Sequence, residues 1–149
     1  MKIMKLYIPP TLIAYSIVLM LLFHFLLPQF NLIPFPWNLA GILISFGAFM
    51  YTGRVRDLFR KYQTTVKIKN SNKLIREGPF SVSRNPMYIC MSLLILGFAI
   101  LSSNLLSLAL PLLFVILVSL IFVPKEEKLL EESFGEEYAD YKKKVSRWI

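Results

Sequence analysis

The chain has 149 residues, about the length of one domain, of which 56% are hydrophobic, with a mean hydropathy of +0.57. That is too apolar for a soluble domain of this size, and the excess lies in long runs, which places the chain in the membrane class. It carries 17 basic and 9 acidic residues, a net +8, and its one cysteine, Cys90, excludes an intrachain disulfide framework and a multi-cysteine metal centre.

Lys2 and Lys5 precede the first apolar run, Tyr7–Leu27, which is interrupted only by His24 and stopped by Pro28. The run is longer than the apolar region of a signal peptide and lacks a small-residue cleavage site, so a retained span over 7–27 is expected. Pro9 and Pro10 fall in its first turn, where a missing N–H costs little. An uncharged, proline-rich linker covers 28–36. The second span, 37–53, opens on Trp37 as an interfacial anchor and contains Gly41, Gly47 and Ala48, which suit close helix approach. Residues 54–86 read as a cytoplasmic loop, basic through Arg54, Arg56, Arg60, Lys61, Lys67, Lys69, Lys73 and Arg76.

Asn85-Pro86 opens the third span, 87–101, with Asn85 as N-cap and Pro86 at the first helical position. Cys90, inside this run, reads as a small buried hydrophobe. Ser102-Ser103-Asn104 forms a tight turn, and the fourth span, 105–123, has Pro111 as an expected kink. At Pro124 the chain leaves the membrane. In the tail, 124–149, Leu130, Phe134, Tyr138, Tyr141, Val145 and Trp148 recur at helical spacing. They predict an amphipathic helix, interrupted near Gly135, lying along the membrane surface or against the basic loop with Lys142, Lys143 and Lys144 toward headgroups.

The predicted fold is all-α: a polytopic membrane protein of four transmembrane helices plus a C-terminal amphipathic cytoplasmic helix, one membrane-embedded domain over 1–149. Every Lys, Arg, Asp and Glu falls in the N-terminus, the 54–86 loop or the tail, and the connections 28–36 and 102–104 carry none. With four spans, those charged segments share one face. The excess of Lys and Arg makes that face cytoplasmic, with both termini there, in a bacterial inner membrane or the endoplasmic reticulum. The +8 is thus an orientation signal that engages membrane lipids, and no nucleic-acid partner is expected.

Two polar clusters border the last helical hairpin: Glu77 to Tyr88, and Pro124 to Glu131. The hairpin should bring them together, setting an arginine and a tyrosine against a carboxylate pair at the rim of an apolar hollow. Each residue also has a plainer reading. Asn85-Pro86 is a helix start, Glu126 and Glu127 would favour the macrodipole of a first turn, Arg84 is one more basic residue at the membrane face, and Tyr88 is an interface aromatic. His24, alone in the first span, reads as an interhelical donor rather than a catalyst, and no second histidine or cysteine suggests a metal.

The stretch Gly78-Pro79-Phe80 … Ser83-Arg84-Asn85-Pro86-Met87-Tyr88, followed by Pro124-x-Glu126-Glu127-x-x-Leu130-x-x-x-Phe134-Gly135-x-x-Tyr138-x-x-Tyr141, closely resembles the isoprenylcysteine carboxyl methyltransferase family. Phospholipid N-methyltransferases are its looser relatives. The resemblance runs from about Thr64 to the end. It implies methyl transfer from S-adenosylmethionine in a membrane-embedded fold, consistent with the absence of a Gly-x-Gly-x-x-Gly fingerprint. By position it implies that Arg84, Asn85 and Tyr88 contact the cofactor from one side and Glu126 and Glu127 from the other. The Gly78-Pro79-Phe80 backbone would line the pocket, and Arg84 and Tyr88 would be catalytic. Many relatives have histidine where this chain has Asn85, which donates a hydrogen bond but does not titrate near neutrality.

The implied partner is a lipophilic or lipidated acceptor entering from the bilayer, with a carboxylate of isoprenylcysteine type foremost. Methylating a carboxylate needs placement and exclusion of water rather than a base. The alternatives are phospholipid or other lipid amine N-methylation, a non-catalytic membrane interaction protein that keeps the fold, and a membrane reductase using a nicotinamide.

Overall fold

The computed structural model describes residues 8–62 and 73–149, so Lys2, Lys5, Tyr7, Thr64, Lys67 and Lys69 lie outside the described residues. Among those described there is no strand. The helices are α1 (Ile8–Leu26), α2 (Ala40–Lys61), α3 (Pro86–Leu101), α4 (Ala109–Leu117), α5 (Val123–Phe134) and α6 (Glu136–Lys144). Short 3-10 turns, Pro28–Phe30, Trp37–Leu39, Gly78–Ser81 and Leu105–Leu108, punctuate them, and a π-turn at Val118–Phe122 joins α4 to α5.

Two helical runs are long and apolar enough to cross a membrane: Pro9–Leu26, and the run from Leu105 to Phe134, whose apolar stretch ends at Val123. α3, at 16 residues, is a shorter apolar helix. Phe25 on α1, Leu43 on α2 and Leu120 before α5 are all more than 70% exposed, apolar surface that suits lipid rather than water.

Two expectations about these elements need correction. The second helix does not end at Gly53; it continues to Lys61 through Arg54, Arg56 and Arg60. Long basic side chains are good helix formers, and Val55, which is fully buried, keeps an inward face on this polar stretch. Pro111 is the third residue of α4, directly after the Leu105–Leu108 turn, and a further irregularity of the same run falls at the π-turn. Trp148 does not extend the tail helix, which ends at Lys144 with Val145 extended.

The described chain groups into two compact units. The first comprises Met1–Phe49 and Cys90–Ile116. In it Gly41 of α2 faces Gly97 of α3. A Cβ on Gly97 would lie 2.7 Å from the Gly41 carbonyl oxygen, and one on Gly41 would overlap the Gly97 carbonyl and sit 2.9 Å from Leu101 N. Only glycine allows that approach. Ala48 is buried as expected, but Gly47 has nothing within 4 Å and serves no close contact. A polar knot closes one end of this unit. Asn104, fully buried, donates through Nδ2 to the carbonyls of Phe23 (3.1 Å) and Leu27 (3.0 Å) and to Asn31 Oδ1 (2.8 Å), and its Oδ1 accepts from Leu106 N. His24 Nδ1 donates to the Ser102 carbonyl at 2.7 Å, the structural role expected of it.

The second unit comprises Met50–Ile89 and Leu117–Ile149. Its core is an apolar cluster of Leu74, Tyr138 and Tyr141, packed by Leu130, Phe134 and Val145. The tail therefore folds against the basic loop. Gly135, at φ +51, breaks the helix between α5 and α6 where the sequence places the interruption; an L side chain rarely adopts that angle. Lys142 pairs with Glu131 at 2.5 Å, Lys143 with Asp140 at 2.9 Å, and Arg76 with Glu137.

Candidate functional site

The residues singled out by the motif all lie in the second unit. Glu77 is extended, and Gly78, at φ +59, turns the chain into the Gly78–Ser81 turn. Phe80 is fixed twice: Tyr141 Oη donates to its carbonyl at 2.6 Å, and its ring meets Phe59 edge-on at 5.7 Å. Gly78 and Pro79 border a cleft of about 360 Å³ with Arg54, Asp57, Leu58 and Lys61.

Ser83 is buried, donating to the Arg147 carbonyl at 3.2 Å and accepting from Asn85 N at 3.1 Å. Asn85 starts α3 as expected, its carbonyl accepting from Tyr88 N and Ile89 N. Its side-chain nitrogen donates to the Arg147 carbonyl at 3.0 Å. Arg84 N donates to the Ser146 carbonyl at 3.1 Å, while its guanidinium turns inward.

That guanidinium meets the second motif. Arg84 Nη1 donates to Glu127 Oε1 at 2.7 Å and reaches Tyr138 Oη at 3.4 Å. Arg84 Nε is buried without a partner. Tyr88 Oη donates to Glu126 Oε1 at 2.8 Å. Glu127, itself buried, also accepts from Arg147, through Nη2 to Oε2 at 2.7 Å and Nε to Oε1 at 3.2 Å. The two clusters are thus joined by direct bonds, as the hairpin argument expects. Of the motif residues, Arg84 bonds to Glu127 and Tyr88 to Glu126, Asn85 joins them through the Arg147 carbonyl, and Gly78 and Pro79 border the cleft.

The macrodipole explanation of Glu126 and Glu127 fails on this backbone. The helix is continuous through the π-turn, with Val123 N bonded to the Val118 carbonyl, so Pro124 opens no free helix start for acidic side chains to complement. Burial pushes the Glu126 carboxyl up to about 6 while the Tyr88 hydrogen bond pulls it down. Burial likewise raises the Tyr138 phenol. A half-buried carboxylate that holds its charge reluctantly favours a nearby cation, and a buried arginine with an unused N–H favours an anion.

Sequence reasoning missed Arg147 and Ser146 as members of the cluster, and missed that Ser83, inside the motif, holds the Arg147 carbonyl. Nothing in the spacing marks Arg147, an isolated cation beyond the last helix. Tyr138 stands in the Phe134-Gly135-x-x-Tyr138 motif and in the amphipathic pattern, but neither marks its hydroxyl as a neighbour of Arg84.

Among the described residues the scaffold is all-helical, carries two helical runs apolar enough to cross a membrane, and holds a buried guanidinium–carboxylate cluster. The chain belongs to the phospholipid methyltransferase family, whose model matches residues 35–137, a family of membrane methyltransferases related to the isoprenylcysteine carboxyl methyltransferases. The match takes in α2 as well as the region from Thr64 to Glu137. Over 63 residues the chain is also 33% identical to an uncharacterized protein of Haemophilus influenzae, covering 42% of this chain and all of that one.

Proposed function

We propose that this protein is an S-adenosylmethionine-dependent methyltransferase of the membrane, with the cofactor held at Arg84, Asn85, Tyr88, Glu126 and Glu127 and beside the Gly78-Pro79-Phe80 turn. The observation that carries this reading is the pair of bonds Arg84–Glu127 and Tyr88–Glu126, which join both motifs in one cluster. The donor set fits the cofactor. Arg84 Nε is a buried N–H lacking an acceptor, suited to the amino-acid carboxylate. Glu126 supplies the negative charge that a sulfonium or ammonium attracts. The cofactor, when bound, supplies a methyl group activated on positively charged sulfur. The protein orients it, excludes water and holds the acceptor in line.

The acceptor is lipophilic and reaches the site from the bilayer. The apolar stretches of α1, α2 and α3 and the 105–123 run serve as four spans, with both termini on the cytoplasmic side. The first reading is a carboxylate of isoprenylcysteine type, already deprotonated and in need of no base. One observation favours a lipid amine instead. A carboxyl near 6 can take a proton, and Glu126 is such a group. On that route the amine loses its proton to Glu126, its lone pair forms the new N–CH3 bond, and the S–CH3 pair stays on sulfur.

The test is purified protein with methyl-labelled S-adenosylmethionine and two acceptors, a prenylated cysteine and vesicles containing phosphatidylethanolamine. Label on the prenylcysteine supports the first reading, and label on the phospholipid supports the second. A folded sample that binds neither S-adenosylmethionine nor its demethylated product, S-adenosylhomocysteine, overturns both readings. Binding without transfer to any acceptor returns the non-catalytic interpretation.

A further inference from the structure

Arg147 lies beyond the residues matched by the family model, yet its backbone and side chain both reach the cluster. Ser83 Oγ, Arg84 N and Asn85 Nδ2 hold the Ser146 and Arg147 carbonyls. The Arg147 guanidinium then claims Glu127 Oε2 at 2.7 Å. Glu127 and Arg84 are nearly sealed, with side chains 9% and 10% exposed, whereas Arg147 is 42% exposed.

An arginine and a carboxylate left alone together tend to pair through two parallel N–H···O bonds. Here Arg147 takes that fork on Glu127, through Nη2 to Oε2 and Nε to Oε1, and Arg84 is left to share Oε1. Arg84 donates to it through Nη1, and Arg84 Nε stays buried with no acceptor. A buried, unsatisfied donor is costly, so its persistence calls for an explanation.

We propose, on the reading that this cluster binds the methyl donor, that Arg147 is a positioning residue: by holding both oxygens of Glu127 in its fork it keeps Arg84 Nε open for the carboxylate of the donor's amino-acid end. Without Arg147, Glu127 is released to take Arg84 side-on, accepting from Nε and Nη2 with both oxygens. The incoming carboxylate then competes with an internal one. The adenosine part of the ligand is untouched by this exchange, and that selectivity separates positioning from general support of the fold.

The experiment is calorimetry on the full chain in detergent with S-adenosylhomocysteine and with 5′-methylthioadenosine, which lacks the amino-acid end. Arg147→Gln should weaken S-adenosylhomocysteine about tenfold, equivalent to one step of about 1.4 kcal/mol, and leave methylthioadenosine unchanged. Arg147→Lys, which keeps the charge but offers a point contact, should fall between; it keeps the test decisive should the glutamine variant not fold. Equal losses for both ligands would make Arg147 merely structural, and no loss for either would remove it from the site. A wild-type protein that fails to prefer S-adenosylhomocysteine overturns the inference at its premise. Wild-type protein that binds neither ligand overturns the underlying site reading as well.

Discussion

The Tyr88 hydroxyl donates to Glu126 Oε1 at 2.8 Å, linking the first turn of α3 to the start of α5 across 38 positions of sequence. This bond opposes the effect of burial on the same carboxyl, which stands at about 6. A raised carboxyl pKa means that the folded state prefers the protonated form. Its stabilising share is therefore full at low pH and is lost as pH rises through about 6. Ligand affinity runs the other way. Binding of S-adenosylmethionine, a sulfonium, should weaken as pH falls through about 6, approaching tenfold per unit, whereas S-adenosylhomocysteine should change less. Tyr88→Phe should move that midpoint upward. Calorimetric titrations between pH 5 and 8 measure both.

Removing Glu127 should cost more than removing Arg84. Glu127→Ala leaves the Arg84 guanidinium buried with only Tyr138 beside it, a loss of roughly 3–5 kcal/mol. Arg84→Ala leaves Glu127 still held by Arg147, so its cost should sit below that range. Thermal unfolding in detergent ranks the two. In both variants that fold, S-adenosylhomocysteine binding should fall.

Much of this architecture is legible in the residues, and the exceptions have physical causes. The first apolar run ends within a residue of the end of α1, and the third matches α3 to within a residue, because Pro28 after the one and Pro86 before the other leave little choice there. The meeting of Arg84 and Tyr88 with the paired glutamates follows from a hairpin, which brings residues at its two open ends together. α2 ran past its expected end because Arg54 to Lys61 looks like a polar connection when charge is counted, although Val55 supplies a buried face. Arg147 was illegible for a different reason: its partners are fixed by backbone carbonyls of its own segment, and those bonds leave no mark on residue type.

Two glycines of one helix should respond oppositely to alanine. Gly41→Ala would drive a methyl into the Gly97 carbonyl and the Leu101 backbone, an overpacking cost of about 1–3 kcal/mol. Gly47→Ala meets nothing within 4 Å and should gain about 0.5–1 kcal/mol from reduced backbone freedom. Melting temperatures of the two variants give the sign directly.

His24→Ala should cost about 1 kcal/mol, the net worth of its bond to Ser102, and leave methyl transfer intact. Asn104→Ala should cost more, roughly 1–3 kcal/mol, since a fully buried amide loses three donated bonds and Leu106 N loses its side-chain acceptor. Unfolding midpoints alongside transfer rates check both, and a loss of transfer in the His24 variant at unchanged stability would overturn its structural assignment.

In the polar knot of the first unit, His24 and Asn104 bond chiefly to main-chain carbonyls, those of Ser102, Phe23 and Leu27, and Asn31 reaches the carbonyl of His24 itself. A carbonyl is present whatever side chain accompanies it. Evolutionary drift at 23 and 27 is therefore free to follow lipid composition and local packing without loosening the knot, whereas Ser102 also accepts from Asn104 N through its hydroxyl. Selection for these contacts instead concentrates on the imidazole and the two amides. Among homologues, these positions should accordingly differ in variability: tolerant at the acceptors, narrow at the donors.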